Sequence, residues 1–338
     1  MLGFCLIFQQ LTILVFLSLS FSMFSKIQVS LRIIYQEKKM KHWISALRPR
    51  TLFLAIATAL CGNGLAYSSG KFSRTVFFLT LAIAVILQFL ANLANDLGDY
   101  QHGTDTTGER LGPTRTVQSG AITPRQMKTG IGVCVGLAMA VGLGLIYVAL
   151  QFMNPLYMIL FVSLGGLSIV AAIKYTAGDN PYGYKALGDI FSFLFFGLVA
   201  VVGTYFLHVH ALDFKPWLPA IGLGFLTAAV LNVNNMRDRA NDLKSGKITL
   251  AIKLGYMGTK HYHAFLTIAT LVCFVIYNIC YTSEWYQWLY LILFAPLLRI
   301  LINIYRNKDD KALDPYLKYT SMCTFFLSLA FVFCINMK

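Results

Sequence analysis

The chain has 338 residues, of which 57% are apolar and only 12% are charged. Soluble domains contain roughly 45–50% apolar and about 25% charged residues, so this composition excludes a soluble enzyme and indicates a multi-pass membrane protein. The 28 lysines and arginines exceed the 14 acids, and the resulting formal charge of +14 fits a nucleic acid, a membrane surface or an anionic substrate.

The first apolar run, about residues 2–24, precedes a basic stretch that ends at Lys41. It is interpreted as an extra span or an uncleaved signal-like segment, because it lacks a convincing small-residue cleavage site. A third interpretation, which we favour, is that Met40 is the real start. We therefore divide the chain into an apolar and basic N-terminal extension, 1–39, and a membrane domain, 40–338.

Nine further apolar runs, each bounded by charged or turn-forming residues, follow along the chain. Their approximate limits are 51–68, 75–95, 129–150, 154–173, 186–208, 216–235, 260–282, 286–305 and 316–336. Most of them have the roughly 20 apolar residues that a helix needs to cross a bilayer. The sequence therefore predicts an all-α fold, a membrane bundle of nine transmembrane helices.

Lysines and arginines divide unequally between the two sets of loops that nine spans create. The set that includes the segment before the first span holds 21 of them, and the other set holds Lys71, Arg74, Lys215 and Lys338. By the positive-inside rule the first set is cytoplasmic, which predicts a multi-pass protein of the cell (inner) membrane. The net charge is then explained by topology, and no nucleic-acid partner is expected.

Most of the acids lie on the same side, in two clusters that topology does not require. Within each cluster the polar residues recur mainly at spacings of three and four, which place side chains on one face of a helix. The cluster at the end of the second span comprises Asn92, Asn95, Asp96, Asp99, Gly103 and Asp105, and the cluster at the end of the sixth comprises Asn232, Asn235, Asp238 and Asp242.

The two clusters belong to an internal repeat. Asn92 and Asn95 map onto Asn232 and Asn235 with a constant offset of 140 residues, and both clusters close an even-numbered span. The chain is therefore interpreted as two four-helix units in parallel orientation plus a ninth helix. This arrangement predicts that the two acidic helix ends face each other on the cytoplasmic side.

The residue types of the clusters favour Mg²⁺ as a cofactor. Carboxylates and amide carbonyls are hard oxygen ligands, and Mg²⁺ completes its shell with water and substrate phosphates. The seven cysteines are scattered through apolar runs without a CxxC pair, so they are interpreted as small core residues. The alternative is that both clusters are ordinary loops, in which Asp and Asn form caps and turns.

Basic residues follow both clusters, which is the pattern expected for an anionic substrate. Arg110 and Arg115 follow the first cluster, and Lys247 and Lys253 follow the second. Lysine and arginine side chains interleaved with metal-binding acids suit the oxygens of a diphosphate.

The segments 92–105 and 234–242 resemble the two aspartate-rich motifs of the UbiA-type intramembrane prenyltransferases, and the resemblance extends over about residues 41–336. Within that superfamily the chain is most similar to the menaquinone-pathway branch that acts on 1,4-dihydroxy-2-naphthoate. The segments that carry this similarity are 48–51, 110–113, 118–120, 174–189 and 246–251. One departure is Gly103, which stands where the ubiquinone-type pattern NDxxDxxxD has its last Asp.

The resemblance implies a nine-helix bundle around a central cavity open to lipid, so that 40–338 is an intramembrane prenyltransferase domain. It implies a Mg²⁺-dependent aromatic polyprenyltransferase with polyprenyl diphosphate, an aromatic acid and the lipid bilayer as partners. The expected reaction transfers a polyprenyl group to 1,4-dihydroxy-2-naphthoate with loss of CO₂ and diphosphate, giving demethylmenaquinol in menaquinone biosynthesis.

The resemblance also implies roles for individual residues. The expected metal ligands are Asn95, Asp96, Asp99, Asn235, Asp238 and Asp242. The expected diphosphate contacts are Arg110, Arg115, Lys247, Lys253 and Asn92. The expected catalytic residues are Arg110, Lys247 and Asp189, of which Asp189 would orient or deprotonate a ring hydroxyl; alternatively it is a helix-terminus Asp held by backbone amides.

Two other functions compete with this one. A prenyltransferase of the same superfamily would act on a different aromatic acceptor. A secondary transporter would also combine a repeat with acids on matching helices, but it predicts acids near the middle of the membrane and broken helices. In this chain the acids lie at helix ends among basic residues, which favours the enzyme.

Overall fold

A computed structural model describes residues 40–105 and 115–337. The predicted N-terminal extension 1–39 and Arg110 lie outside the described residues. The chain divides between Ser45 and Ala46 into two units. Of the first unit only residues 40–45 are described, and they are helical. The second unit contains every membrane helix discussed below.

The described residues contain nine helices that are long and apolar enough to cross a membrane, as the sequence predicts. We number them α1 to α9 in chain order. Their bounds are Pro49–Ser68, Arg74–Gln101, Pro124–Leu150, Pro155–Lys174, Gly188–Val209, Trp217–Arg237, Leu250–Tyr281, Trp285–Arg306 and Asp310–Asn336. The prediction of an all-α multi-pass bundle is confirmed.

Helices α2 and α7 extend well beyond the apolar runs that predicted them. Helix α2 continues from residue 95 to Gln101, so that the whole face carrying Asp96 and Asp99 is helical. Helix α7 begins at Leu250, ten residues earlier than predicted, and Gly255 interrupts it with φ of 69°. Polar residues end a hydropathy run without ending a helix, because the backbone hydrogen bonds continue into the aqueous interface.

Helix α9 joins the two halves of the bundle, since it packs against both α1 and α6. Three of its polar side chains donate to backbone carbonyls of α1: Ser321 to Arg50 at 3.3 Å, Ser328 to Ala57 at 2.6 Å, and Asn336 to Gly64 at 3.1 Å. Polar side chains that bond across membrane helices and small residues that allow close approach are the usual means of packing in lipid. The α1–α9 contact is therefore fixed along its whole length.

Helix α6 is the central helix of the second half and packs against α5, α7 and α9. The part of α5 from Phe193 to Val202 has π-helical geometry, and Gly197 in this part lies directly against α6. A Cβ atom at Gly197 would lie 2.7 Å from the carbonyl oxygen of Ala220 and 2.7 Å from the Cα of Gly224. Only glycine permits this approach.

We therefore expect Gly197→Ala to destabilise the protein by about 1–3 kcal/mol, because the added methyl group overpacks the α5–α6 contact. Gly132→Ala on α3 is the matched control, since a Cβ there meets no atom within 4 Å. The control should be neutral or slightly stabilising, by up to about 1 kcal/mol, because alanine favours helix. Thermal unfolding of both variants in detergent tests this, and equal midpoints would contradict the packing described.

Candidate active site

The two acidic clusters end α2 and α6 at the same end of the bundle, which we call the motif end. A short helix, Arg239–Lys244, follows α6 and carries Asp242. All five carboxylates of the clusters are buried, with exposed fractions between 0 and 4%: Asp96, Asp99, Asp105, Asp238 and Asp242. Buried carboxylates require compensating charge or hydrogen bonds, so the positions of the basic residues decide what this site can do.

Lys247 connects the two clusters. Its Nζ lies 3.7 Å from Asp99 Oδ1 in the first cluster and 3.8 Å from Asp242 Oδ1 in the second. The amide of Asn241 also donates to the backbone carbonyl of Thr104 at 3.0 Å. The predicted meeting of the two acidic helix ends is therefore present in the structure.

Arg115 balances the first cluster. Its guanidinium lies 3.3 Å from Asp99 Oδ2, and its Nε lies 3.9 Å from Asp105 Oδ1. Lys253, by contrast, is exposed in the first turn of α7 and forms no ion pair in the described part of the chain. Of the four basic residues predicted to contact a diphosphate, the structure thus brings Arg115 and Lys247 to the buried carboxylates.

The repeated asparagines fall into two classes. Asn92 donates to the carbonyl of Leu47 at 2.8 Å and to Thr51 Oγ1 at 2.9 Å. Asn232, its counterpart in the repeat, donates to the carbonyl of Thr259 at 3.1 Å and accepts from the same residue's hydroxyl at 2.8 Å. Both side chains tie the end of a cluster helix to a neighbouring segment.

The side-chain oxygens of Asn95 and Asn235, the second pair of the repeat, have different surroundings. Asn95 Oδ1 accepts a hydrogen bond from Thr176 Oγ1 at 3.1 Å. Asn235 Oδ1 is buried and has no hydrogen-bond partner among the residues that the structure describes. Asp96 is similar, because Thr116 donates twice to Oδ2, at 2.6 and 3.3 Å, while Oδ1 is buried without a partner. Buried oxygens left without a donor are the atoms that a hard cation would use.

Arg237 holds Asp238. Its Nε and one terminal nitrogen donate to the two carboxylate oxygens of Asp238 at 2.9 and 2.7 Å. The guanidinium also donates to Asn234 Oδ1 at 2.9 Å and to Asp314 Oδ1 at 2.5 Å, at the start of α9. Sequence reasoning missed Asp314, since 76 residues separate it from Asp238 and no spacing rule connects them.

Tyr184 lies where both clusters meet the loop between α4 and α5. Its hydroxyl donates to Asp99 Oδ1 at 3.1 Å and lies 2.6 Å from Thr104 Oγ1, and its ring lies 5.5 Å from the Nζ of Lys247. Burial, followed by the charge of Asp99, raises the pKa of Tyr184 well above its usual value. The hydroxyl therefore stays protonated and remains a donor to the carboxylate.

Asp189 lies in the first turn of α5, and both of its oxygens are buried without a hydrogen-bond partner. The alternative, that backbone amides hold its carboxylate, stays a prediction. Tyr175 lies next to it, since a Cβ on Gly188 would come within 2.9 Å of the Tyr175 ring. Burial, then the charges of Asp189, Asp99 and Asp242, raises the pKa of Tyr175 well above its usual value. Tyr175 thus lies within electrostatic range of Asp189 and of both clusters.

Among the residues that the structure describes, no three His, Cys, Asp or Glu side chains converge closely enough to hold a metal ion. Arg115, Lys247 and Arg237 stand beside the cluster carboxylates instead. The oxygen-rich donor set, with the open Oδ1 atoms of Asp96 and Asn235, nevertheless fits a hard divalent cation. Binding would require the basic side chains to exchange carboxylate oxygens for those of an anionic ligand.

Comparison with known proteins gives consistent results. The sequence matches the UbiA prenyltransferase family over residues 55–330. It is 40% identical to the 1,4-dihydroxy-2-naphthoate octaprenyltransferase of Haemophilus influenzae, covering 87% of this chain and 95% of that protein. It is also 40% identical to the Escherichia coli enzyme of the same name, covering 88% of this chain and 96% of that protein.

The fold also resembles a solved structure. A UbiA homolog from Archaeoglobus fulgidus, bound to GPP and Mg²⁺, superimposes with a TM-score of 0.62. The alignment covers 88% of this chain and all of that one, at 14% sequence identity. At this identity the likeness concerns the fold alone.

Substitutions of Asn92 and Asn235 are expected to change the stability of the protein by different amounts. Asn92→Ala should destabilise the protein by about 1–3 kcal/mol, because it removes the hydrogen bonds that the buried Asn92 amide donates to the Leu47 carbonyl and to Thr51 Oγ1. Asn235→Ala should change stability by less than about 0.5 kcal/mol, because it removes a buried oxygen that no protein group bonds. Thermal unfolding without divalent ions or substrate measures both, and an equal loss in the two variants would refute the distinction.

Proposed function

Because this chain belongs to the UbiA prenyltransferase family, we propose that it transfers a polyprenyl group from polyprenyl diphosphate to 1,4-dihydroxy-2-naphthoate. The products are demethylmenaquinol, CO₂ and diphosphate, and the reaction serves menaquinone biosynthesis. The 40% identity to octaprenyltransferases that act on this naphthoate, over 95–96% of their length, supports the choice of acceptor. The protein is a multi-pass membrane enzyme.

The observation that carries this proposal is the bridge from Lys247 to Asp99 and Asp242, which brings both acidic clusters to one place. The ammonium group of Lys247 lies between the two sets of carboxylates. Two sets of carboxylates this close together are suited to bind divalent cations, which in turn would hold a diphosphate. Basic side chains are then available for the diphosphate oxygens. We assign this role to Arg115 and Lys247, with Arg110 and Lys253 as further proposed contacts.

We propose that six residues are the metal ligands: Asn95, Asp96, Asp99, Asn235, Asp238 and Asp242. Support comes from their oxygen chemistry, from the open Oδ1 atoms of Asp96 and Asn235, and from the Mg²⁺ bound by the Archaeoglobus homolog. When bound, Mg²⁺ would offset the negative charge that develops on the leaving diphosphate. We assign Asn92 to holding the end of α2 in place, because its amide is fully engaged by Leu47, Thr51 and Gln88.

The reaction breaks the bond between the allylic carbon and the diphosphate oxygen, and that electron pair leaves with diphosphate. Lys247, which is buried, and Arg115, whose side chain is 11% exposed, are held in place by ion pairs and would stabilise the charge that accumulates on the leaving oxygens. The electron-rich naphthoate ring supplies the pair for the new carbon–carbon bond. Loss of the carboxyl group as CO₂ returns an electron pair to the ring and restores its aromaticity.

We assign the acceptor to the side of the site formed by Asp189 and Tyr175. Asp189 has two buried oxygens without a protein donor, so it is suited to accept a hydrogen bond from a ring hydroxyl. Such a bond would increase the electron density of the ring as it attacks. The elevated pKa of Tyr175 keeps its hydroxyl protonated near this carboxylate.

We place the active site on the cytoplasmic side of the inner membrane. The loops at the motif end belong to the set that carries 21 of the 28 basic residues, and the positive-inside rule assigns that set to the cytoplasm. A water-soluble naphthoate would then reach the site from the cytoplasm, and the polyprenyl tail would remain in lipid.

The function is tested by incubating the purified protein in lipid nanodiscs with Mg²⁺, a polyprenyl diphosphate and 1,4-dihydroxy-2-naphthoate labelled in its carboxyl group. We expect a prenylated naphthoquinol, with one labelled CO₂ released per product. Removing divalent cations with EDTA should abolish the reaction, and added Mg²⁺ should restore it. Absence of product with this acceptor would refute the proposed substrate, and full activity in EDTA would refute the metal.

The role of Asp189 is tested by Asp189→Asn. We expect kcat to fall by about 10²-fold or more, the typical contribution of a positioned acid–base group, while the KM for polyprenyl diphosphate changes little. Asp179→Asn, in the exposed part of the loop between α4 and α5, is the control and should keep full activity. A large rise in the KM for the diphosphate with unchanged kcat would instead place Asp189 in the donor site.

A further inference from the structure

Arg237 differs from the other two basic residues of the site. Within residues 40–105 and 115–337, the ion pairs of Arg115 and Lys247 are with carboxylates of the two clusters. Arg237 contacts Asp238 on one side and Asp314, which lies outside the clusters at the start of α9, on the other. A guanidinium with donors in a fixed planar fork can hold two carboxylates at once.

The two carboxylates that share Arg237 differ in exposure. The side chains of Arg237 and Asp238 are 4% and 5% exposed, whereas that of Asp314 is 40% exposed. Asp314 thus carries a charge that water already solvates in part, and it approaches the same guanidinium as Asp238 does. Its negative charge repels that of Asp238, which offsets part of the stabilisation that Asp238 gains from Arg237.

We propose that Asp314 is a positioning residue that holds Arg237 when Asp238 turns to a divalent cation. The proposal rests on the metal site assigned above. Without Asp314, the guanidinium would have Asp238 as its only carboxylate among the described residues. A divalent cation would then have to compete with a buried ion pair that no second carboxylate weakens. With Asp314, Arg237 keeps a charged partner and its hydrogen bond to Asn234 Oδ1 while Asp238 leaves the guanidinium for the cation. Asp314 thereby sets the concentration of Mg²⁺ at which the site fills.

A neighbouring ion pair provides the control. Arg239 and Asp310 form an ion pair of 3.1 Å, four residues before Asp314 in the same turn region. This pair includes none of the assigned metal ligands. Asp310→Asn therefore removes the same charge near the same place without changing the partners of Arg237.

The test measures binding and not turnover. Mg²⁺ is titrated into the purified protein with inorganic diphosphate in fixed excess, and the thermal unfolding midpoint is followed for the wild type, Asp314→Asn and Asp310→Asn. We expect the half-effective Mg²⁺ concentration to rise about tenfold in Asp314→Asn, which corresponds to about 1.4 kcal/mol. The half-effective Mg²⁺ concentration of Asp310→Asn should equal that of the wild type. That of Asp314→Glu should lie close to the wild-type value, because the carboxylate is retained.

The outcomes separate the two proposals. If Mg²⁺ with diphosphate does not stabilise the wild type, the metal site itself is refuted, and this inference with it. If the wild type responds and the Asn variants at 314 and 310 respond equally, the metal site stands and the role of Asp314 is refuted. A further arm uses Arg237→Gln, in which replacing Asp314 should have no additional effect; an unchanged tenfold rise there would mean that Asp314 acts without Arg237.

Discussion

The structure depends on how five carboxylates can be buried together at one end of a membrane bundle. An unpaired buried charge is very costly, so these acids require cations or hydrogen-bond donors that reach them inside the protein, as Thr116 does for Asp96. Lys247 lies between Asp99 and Asp242, Arg115 lies between Asp99 and Asp105, and Arg237 pairs with Asp238. Arg115 lies in the loop after α2, Arg237 ends α6 and Lys247 follows the short helix, so the ion pairs join three segments of the chain at the clusters.

The same arrangement explains how the site is suited to bind an anionic diphosphate together with divalent cations. Basic residues that neutralise acids in the absence of substrate are the residues that a diphosphate would recruit, while the acids would pass to divalent cations. In the exchange each buried charge keeps a neighbour of opposite charge, so neither state leaves an isolated buried ion. Asp96, Asn235 and Asp189 add buried oxygens that no protein donor satisfies, and these are the positions at which the fold leaves hydrogen-bonding capacity for ligands.

Rigid packing holds the helix ends that carry this chemistry. The polar contacts from α9 to the backbone of α1, the close approach of α5 to α6 at Gly197, and the asparagine bonds of Asn92 and Asn232 all fix helices relative to one another. Glycine also acts within the site, since a Cβ at Gly98 would lie 2.6 Å from the backbone of Thr176. The loop between α4 and α5 can therefore lie directly against α2, where Tyr184 reaches Asp99.

The sequence alone determined the nine spans, the matched clusters and their meeting at one end, because hydropathy, charge asymmetry and the 140-residue offset are properties of residue order. It assigned Asn92 to the diphosphate and Asn235 to the metal, but it did not reveal that Leu47, Thr51 and Gln88 bond the side chain of Asn92, whereas no described residue bonds Oδ1 of Asn235. Nor did it identify Tyr184 as the contact between the clusters, or Asp314 as the second partner of Arg237. Those contacts join segments far apart in the chain, and only the tertiary packing of α9, the α4–α5 loop and the two cluster helices decides which side chains meet.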